Sequence, residues 1–346
     1  GTPIFSPFHL GGFFSVFNAD MVDRAELASG GFPARYGGRV SSVLTVESDP
    51  GEGRFGVDAG VSLLATRVAV EGGLPVGARQ SLGVSDVRWR VSARRSYIDA
   101  LLAPITQFPY HLQDFQAVAE VGIGARDRVR FTAYTGDDVL RLTQLESDFP
   151  LRIDWNWGND IAGLRWTREL DAGRWVTAAS YSRFGTGLTF PDFGDTDFSS
   201  AVDQKVVRSD LELEPTPGLK LSTGAEFESM SYDNLAQSGG TVFQQGLGDG
   251  RRLGAHFGLD GGTPGRWLVE AGVRLDRWMP DPGAAVNTWS PRASAKWFFA
   301  NGRAALKASA GRYTQFLHSL RDEELPLGLD VWVLSGDRAP AVVSDQ

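Results

Sequence analysis

Trp267-Leu268-Val269-Glu270-Ala271-Gly272-Val273-Arg274-Leu275-Asp276 is the stretch that decides what kind of sheet this chain builds. Successive side chains of an extended strand point to opposite faces, so Trp267, Val269, Ala271, Val273 and Leu275 share one face, while Leu268, Glu270, Gly272, Arg274 and Asp276 share the other. One face is apolar and the other carries charge. The same split recurs where Val129, Phe131 and Ala133 alternate with Arg128, Arg130, Thr132 and Tyr134, and where Leu253, Ala255, Phe257 and Leu259 alternate with Gly254, His256, Gly258 and Asp260. Further copies lie at residues 115–123, 219–227, 289–299 and 304–310.

A soluble β-sandwich and the wall of a membrane β-barrel both alternate in this way. The connections separate them. Short ones at residues 125–127, 171–173, 215–218, 261–265 and 301–302 take turns with long ones around 137–153, 185–199, 232–250 and 278–288. Outer-membrane barrels have short periplasmic turns and longer outer loops, whereas a sandwich has no physical reason to gather every long loop at one end. Trp155, Trp166, Trp175, Trp267, Trp278, Trp289 and Trp297 fall at or near strand ends, where an interfacial girdle holds amphipathic rings. On this phase an arginine in place of Val273 costs about 2–4 kcal/mol near the membrane midplane, and Arg274→Val on the polar face does not.

Composition allows this reading and removes others. Among 346 residues there are 42 glycines and 10 tryptophans, with 42% hydrophobic residues, and no run reaches the roughly 18 apolar residues of a membrane-spanning helix. A net charge of −8 without a long basic stretch argues against nucleic acid as a partner. With no cysteine there is no disulfide framework and no thiolate metal site. The four histidines, His9, His111, His256 and His318, show no metal-ligand spacing and no triad pattern, and no phosphate loop occurs, so neither an enzyme nor a cofactor or metal site is expected.

Ahead of the alternating series stands Gly30-Gly31-Phe32-Pro33-Ala34-Arg35-Tyr36-Gly37-Gly38-Arg39, between the short apolar strands 22–27 and 40–46. This stretch resembles the end of the plug domain in TonB-dependent outer-membrane receptors. The likeness extends upstream through Pro7-Phe8-His9-Leu10-Gly11-Gly12-Phe13-Phe14-Ser15-Val16-Phe17-Asn18 and returns at Ala93-Arg94-Arg95-Ser96-Tyr97-Ile98-Asp99.

The resemblance implies an all-β fold: a transmembrane antiparallel β-barrel preceded by a partial plug. Residues 1–50 would be the C-terminal part of the plug and 51–346 the N-terminal part of the barrel. Family barrels close with about twenty-two strands, and loop parity places about thirteen here. Three of these are expected at 54–62, 65–72 and 82–96, with a tight outer loop near Leu63-Leu64 and a turn at Gly73-Leu74-Pro75; the last ends near Gln315, so the rest of the chain is expected within what would be the seventh outer loop. Both ends look like those of a fragment. The implied function is energised uptake of a scarce ligand, such as a siderophore, vitamin, oligosaccharide or peptide, across the outer membrane, with outer-membrane lipid around the barrel and the inner-membrane TonB complex as partner. A non-energised structural or adhesive barrel is the alternative, ahead of a passive porin.

The site candidates follow from the same segments. Gly30, Gly31, Arg35, Tyr36, Gly37, Gly38 and Arg39 form the plug motif, and in the family such plug arginines resemble half of a lock against lumen-facing barrel glutamates. Glu120, Glu226 and Glu270 are the candidate partners. Phe8, His9, Phe13 and Phe14 are candidates for a ligand-facing plug apex, with core packing as the competing role for the phenylalanines. The acidic stretches 192–197 and 322–324 read as solvated loop tips, because they lack calcium-ligand spacing.

Overall fold

The computed structural model describes residues 2–9, 12, 14–102, 104, 109–142, 152–299, 302–320, 330–337 and 339–346. Near the N-terminus β1 (Phe8–His9) pairs with β2 (Phe14–Ser15), and β3 (Val22–Ser29) pairs with β4 (Ser42–Ser48). Thirteen strands follow in one antiparallel meander, each hydrogen-bonded to the next. They are β5 (Gly56–Val61), β6 (Ala65–Gly73), β7 (Asp86–Ser96), β8 (Tyr110–Ile123), β9 (Asp127–Arg141), β10 (Asp154–Leu170), β11 (Gly173–Phe190), β12 (Thr196–Thr216), β13 (Leu219–Ser238), β14 (Thr241–Thr263), β15 (Trp267–Asp281), β16 (Val286–Phe299) and β17 (Ala304–Gln315). A small hairpin of β18 (Leu317–Leu320) and β19 (Val331–Leu334) comes next, and then β20 (Val342–Asp345) pairs with β17 as a fourteenth strand of the large sheet. The sequence reading leaves residues 342–345 in an outer loop; the pairing of Val342 with Gln315 puts them in the wall instead.

The face assignment holds along the wall. Val207, Phe227 and Leu253 are direct cross-strand neighbours and all are exposed, as are Phe257 and Leu275. On the alternate phase Arg252, His256, Arg274 and Asp276 are buried. This outward apolar band has no physical use in water but suits lipid.

Loop length is redistributed. A tilted strand crosses a bilayer core with about 9–11 residues, yet β12, β13 and β14 run for 21, 20 and 23 residues. Most of the expected loops at 185–199 and 232–250 are therefore continuations of paired strands. The first closes through a short 3-10 turn at Pro191–Phe193, and the second through Gly239-Gly240, both at positive φ (55° and 77°), as a two-residue hairpin turn requires. The asymmetry between the two ends survives as strand overhang.

A second adjustment falls before β7. Residues 76–81, left between a turn at 73–75 and a strand start at 82 by the sequence reading, form with Leu82 helix α1 (Val76–Leu82), entered at Pro75 and ended by Gly83 at φ 68°. Proline presets the backbone for a helix start, and glycine adopts the left-handed cap that ends one. The tight turn at Leu63-Leu64 is present, closed by Ser62 N–H donating to Ala65 O at 2.9 Å.

Inside the long-loop end, Tyr110, Trp157, Phe184, Met230 and Trp278 form an apolar cluster with Phe316, Leu317 and Leu334 of the β18–β19 region. Trp278 belongs here and not to a girdle: it is 1% exposed, stacks on Phe316 at 5.2 Å, and its indole N–H donates to Ser335 O at 2.8 Å. Trp155 likewise packs against this cluster, 4.2 Å from Trp157. Trp175, Trp267, Trp289 and Trp297 do face outward.

Candidate functional site

The N-terminal segment lies against the polar face of the sheet, and wall arginines hold its backbone. Arg94 donates to Ser15 O (2.8 Å), Arg90 to Asp20 O (2.7 Å), Arg130 to Ser48 O (3.4 Å) and Arg274 to Arg35 O (3.4 Å). Arg292 makes the densest contact. Its Nη1 donates to the carbonyls of Phe32 (3.2 Å), Pro33 (2.7 Å) and Tyr36 (2.8 Å), and its guanidinium lies 4.8 Å from the Phe32 ring and 4.4 Å from the Tyr313 ring. Among the described residues Arg292 makes no ion pair, so its close partners are carbonyl dipoles and ring faces, with Asp276 and Glu270 acting from farther off.

Beside it, the wall carries its own charge network. Arg252 reaches Glu228 (2.5 Å), Glu226 (2.7 Å) and Asp276 (2.8 Å), and Arg274 reaches Asp276 (2.8 Å) and Glu226 (3.0 Å). Arg274 is 1% exposed. Removing one partner from such a buried set orphans the others and costs about 3–5 kcal/mol. The expectation that Arg274→Val is harmless is therefore revised, because on its polar face Arg274 sits in a packed charge network.

The glycine loop fits onto this network through missing side chains. A Cβ on Gly37 would sit 2.2 Å from Arg274 Nε and 2.5 Å from Arg252 Nη1, and one on Gly31, at φ 57°, would meet Ser309 Cβ at 2.6 Å. Tyr36 packs near Arg35, whose guanidinium is 4.9 Å from its ring. Gly30 and Gly38 also hold positive φ, 75° and 69°.

The predicted partners fall elsewhere. Arg35 pairs with Glu212 of β12 at 3.0 Å, a residue absent from the sequence candidates, and Glu212 also holds Arg174 (2.8 Å) and Lys220 (3.0 Å). Glu120 is engaged within the wall, by Arg88 and by Arg130 (2.6 Å). Glu226 belongs to the network above. Arg39 donates to Gly38 O at 2.9 Å; desolvation, joined by the charge of Arg252, lowers its pKa against the opposing pull of Glu228 and Glu226. Glu270 lines a cleft of about 500 Å³ beneath Phe32 and Pro33, together with Lys220, Lys296 and Lys307.

The apex candidates divide as well. Phe8 is exposed and Phe14 half-buried, and Phe13 lies outside the described residues. His9 faces the wall: it is 1% exposed, with Nδ1 at 2.5 Å from Asp138 and Nε2 at 3.5 Å from Asp114. Burial pushes its pKa down, but the bonds to Asp114 and Asp138 push harder and leave it above the ordinary histidine value. No cluster of metal-ligating side chains occurs among the described residues.

Sequence reasoning placed charge on the correct faces and expected a loop arginine against an inward glutamate; Glu212, which Arg35 meets, was not among its candidates, and the hold of wall arginines on backbone carbonyls was not foreseen. The signal was available in Arg90, Arg94, Arg130, Arg274 and Arg292, which all fall on the inward phase of their strands.

No protein-family model and no curated protein matches the chain. Solved structures do match in fold. The chain is similar to the copper transporter OprC, at 15% identity over 88% of this chain and 52% of that one, with a TM-score of 0.63. A mutant of the ferric enterobactin receptor (PfeA) from Pseudomonas aeruginosa matches at 13% identity over 96% and 56%, with a TM-score of 0.67. The alcaligin outer-membrane receptor FauA from Bordetella pertussis matches at 13% over 93% and 54%, with a TM-score of 0.64. The chain spans little more than half the length of these structures.

Proposed function

From the fold of the TonB-dependent outer-membrane receptors, which this chain shares, we propose that it works as part of such a receptor, taking up a scarce ligand across the outer membrane with energy supplied by the inner-membrane TonB complex. Residues 1–50 are then plug and 51–346 barrel wall, the short turns are periplasmic and the strand overhangs are outside. One observation carries the reading: the glycine loop is held to the wall through its backbone carbonyls, three of them by Arg292. A passive porin has no use for an obstruction gripped in this way.

The plug's role is conformational, and no bond-making step is assigned to the chain. Ligand binding at the outside biases one arrangement, and the partner's pull supplies the work of the other. The cargo this fold accommodates includes siderophore, vitamin, oligosaccharide, peptide and metal.

The test is accumulation of a panel of ferric siderophores, cobalamin, oligosaccharides, peptides and copper by cells carrying the intact protein, with and without a protonophore. Accumulation of one of them that stops with the protonophore is the expected result. Arabinose influx through the purified protein in liposomes would overturn the reading in favour of an open pore, and surface exposure without any accumulation would favour an adhesive barrel.

A further inference from the structure

The hairpin β1–β2 sits near the long-loop end, where β8 begins and β9 ends. His9 enters the wall between two inward carboxylates, Asp114 on β8 and Asp138 on β9. Each carboxylate has a second partner. Asp114 receives Arg94 of β7 (Nε at 2.7 Å), which also donates to Ser15 O of the hairpin, and Asp138 receives the Tyr110 hydroxyl. The Tyr134 hydroxyl lies 3.4 Å from His9 Nε2. His111 and Asp137 sit on the opposite phase of the same strands and face away from the imidazole. Asp114 Oδ1 is buried with no hydrogen-bond partner among the described residues.

Within this plug reading, we propose that His9 is a proton-operated latch: as imidazolium it fastens the outer hairpin of the plug to β8 and β9, and on losing its proton it lets the hairpin go. The charge count supports this. A neutral imidazole has a single N–H donor and cannot donate to both carboxylates. The imidazolium has two donors, Nδ1–H at 2.5 Å from Asp138 and Nε2–H 3.5 Å from Asp114 as a charge contact, whereas the neutral ring keeps the bond to Asp138 and loses the positive charge that faces Asp114.

The direction of the effect follows from linkage. Docking raises the His9 pKa above its ordinary value, so the docked hairpin binds the proton more tightly than the free one. The latch's contribution is complete below about pH 6.5 and is lost as pH rises through the docked pKa. An acidic medium clamps the plug's outer end, and a neutral to alkaline one frees it.

Hydrogen exchange of residues 7–17 in the intact protein, from about pH 5.5 to about pH 8.5 and corrected for intrinsic rates, tests this. Residues 30–39, which contain no histidine, serve as the internal control. Protection of 7–17 should fall with rising pH in the wild type while the control stays level; His9→Gln should give low, flat protection, and Asp138→Asn a weakened slope. A flat wild-type profile overturns the latch, as does a slope that survives in His9→Gln. The wild-type series needs no variant to fold. It reads docking and not uptake, so failure of the transport reading would leave it unchanged.

Discussion

Replacing Arg292 by methionine asks whether wall arginines hold the glycine loop. Methionine keeps most of the aliphatic stem against Phe32 and Tyr313 and removes the charge and the donors. Nη1 has two hydrogens shared among the carbonyls of Phe32, Pro33 and Tyr36, so the loss amounts to one or two charge-assisted bonds of about 1.5–3 kcal/mol each. Water in an opened lumen returns part of that by hydrating the freed carbonyls. A net loosening of about 2–3 kcal/mol remains, equal to about 30- to 150-fold in the opening equilibrium.

The assay is hydrogen exchange at residues 30–39 of the intact protein, where the Tyr36 amide donates to Pro33 O at 3.1 Å. Exchange there should speed up by that factor while the amides of β13 and β14 stay protected, which separates loss of docking from loss of the wall. Arg292→Lys should fall between, since an ammonium keeps the charge but loses the planar fork. A change smaller than about threefold in the methionine variant would refute the reasoning, because the carbonyl contacts would then contribute under about 0.7 kcal/mol.

Gly37→Val should displace the loop or break the Arg252–Arg274 network, whose disruption costs about 3–5 kcal/mol; limited proteolysis should cut within residues 30–39, and unchanged cleavage would remove the close-approach argument. Val273→Arg should destabilise the wall by about 2–4 kcal/mol in membrane refolding titrations. Arg274→Val should now cost a comparable amount through its orphaned carboxylates, and a neutral result would return that position to open lumen.

The wall was legible in sequence because its signal is local. Trp267 to Asp276 alternate residue by residue, and lipid on one side leaves no other arrangement for Val273 and Leu275. Strand ends were less legible: nothing local in 232–238 or 241–250 says whether paired backbone continues past the membrane, and the Gly239-Gly240 turn is recognisable only once both flanks are known to pair. Site partners were the least legible. Arg35 meets Glu212 across 177 positions of sequence, and from the alternation alone Glu212 looks no different from Glu226 or Glu270. Helix α1 was missed because the expectation of a short turn outweighed Pro75 and Gly83, which mark its two ends.

That wall arginines on backbone carbonyls make most of the grip at the glycine loop has a physical rationale if the loop must leave and return. A lock made of plug cations buried against wall carboxylates leaves unpaired charge behind when it opens, and that penalty adds to every cycle. In the glycine loop the charges are partnered mostly within the wall: Arg252 and Arg274 keep Glu226, Glu228 and Asp276, and Glu212 keeps Arg174 and Lys220 after Arg35 departs. At the glycine loop, what opening breaks is a set of arginine-to-carbonyl bonds, whose ends water can satisfy on both sides, together with the single Arg35–Glu212 pair. At the glycine loop such an interface fixes position with little net charge separation on opening, in contrast to the contact of His9 with Asp114 and Asp138 at the start of the same segment.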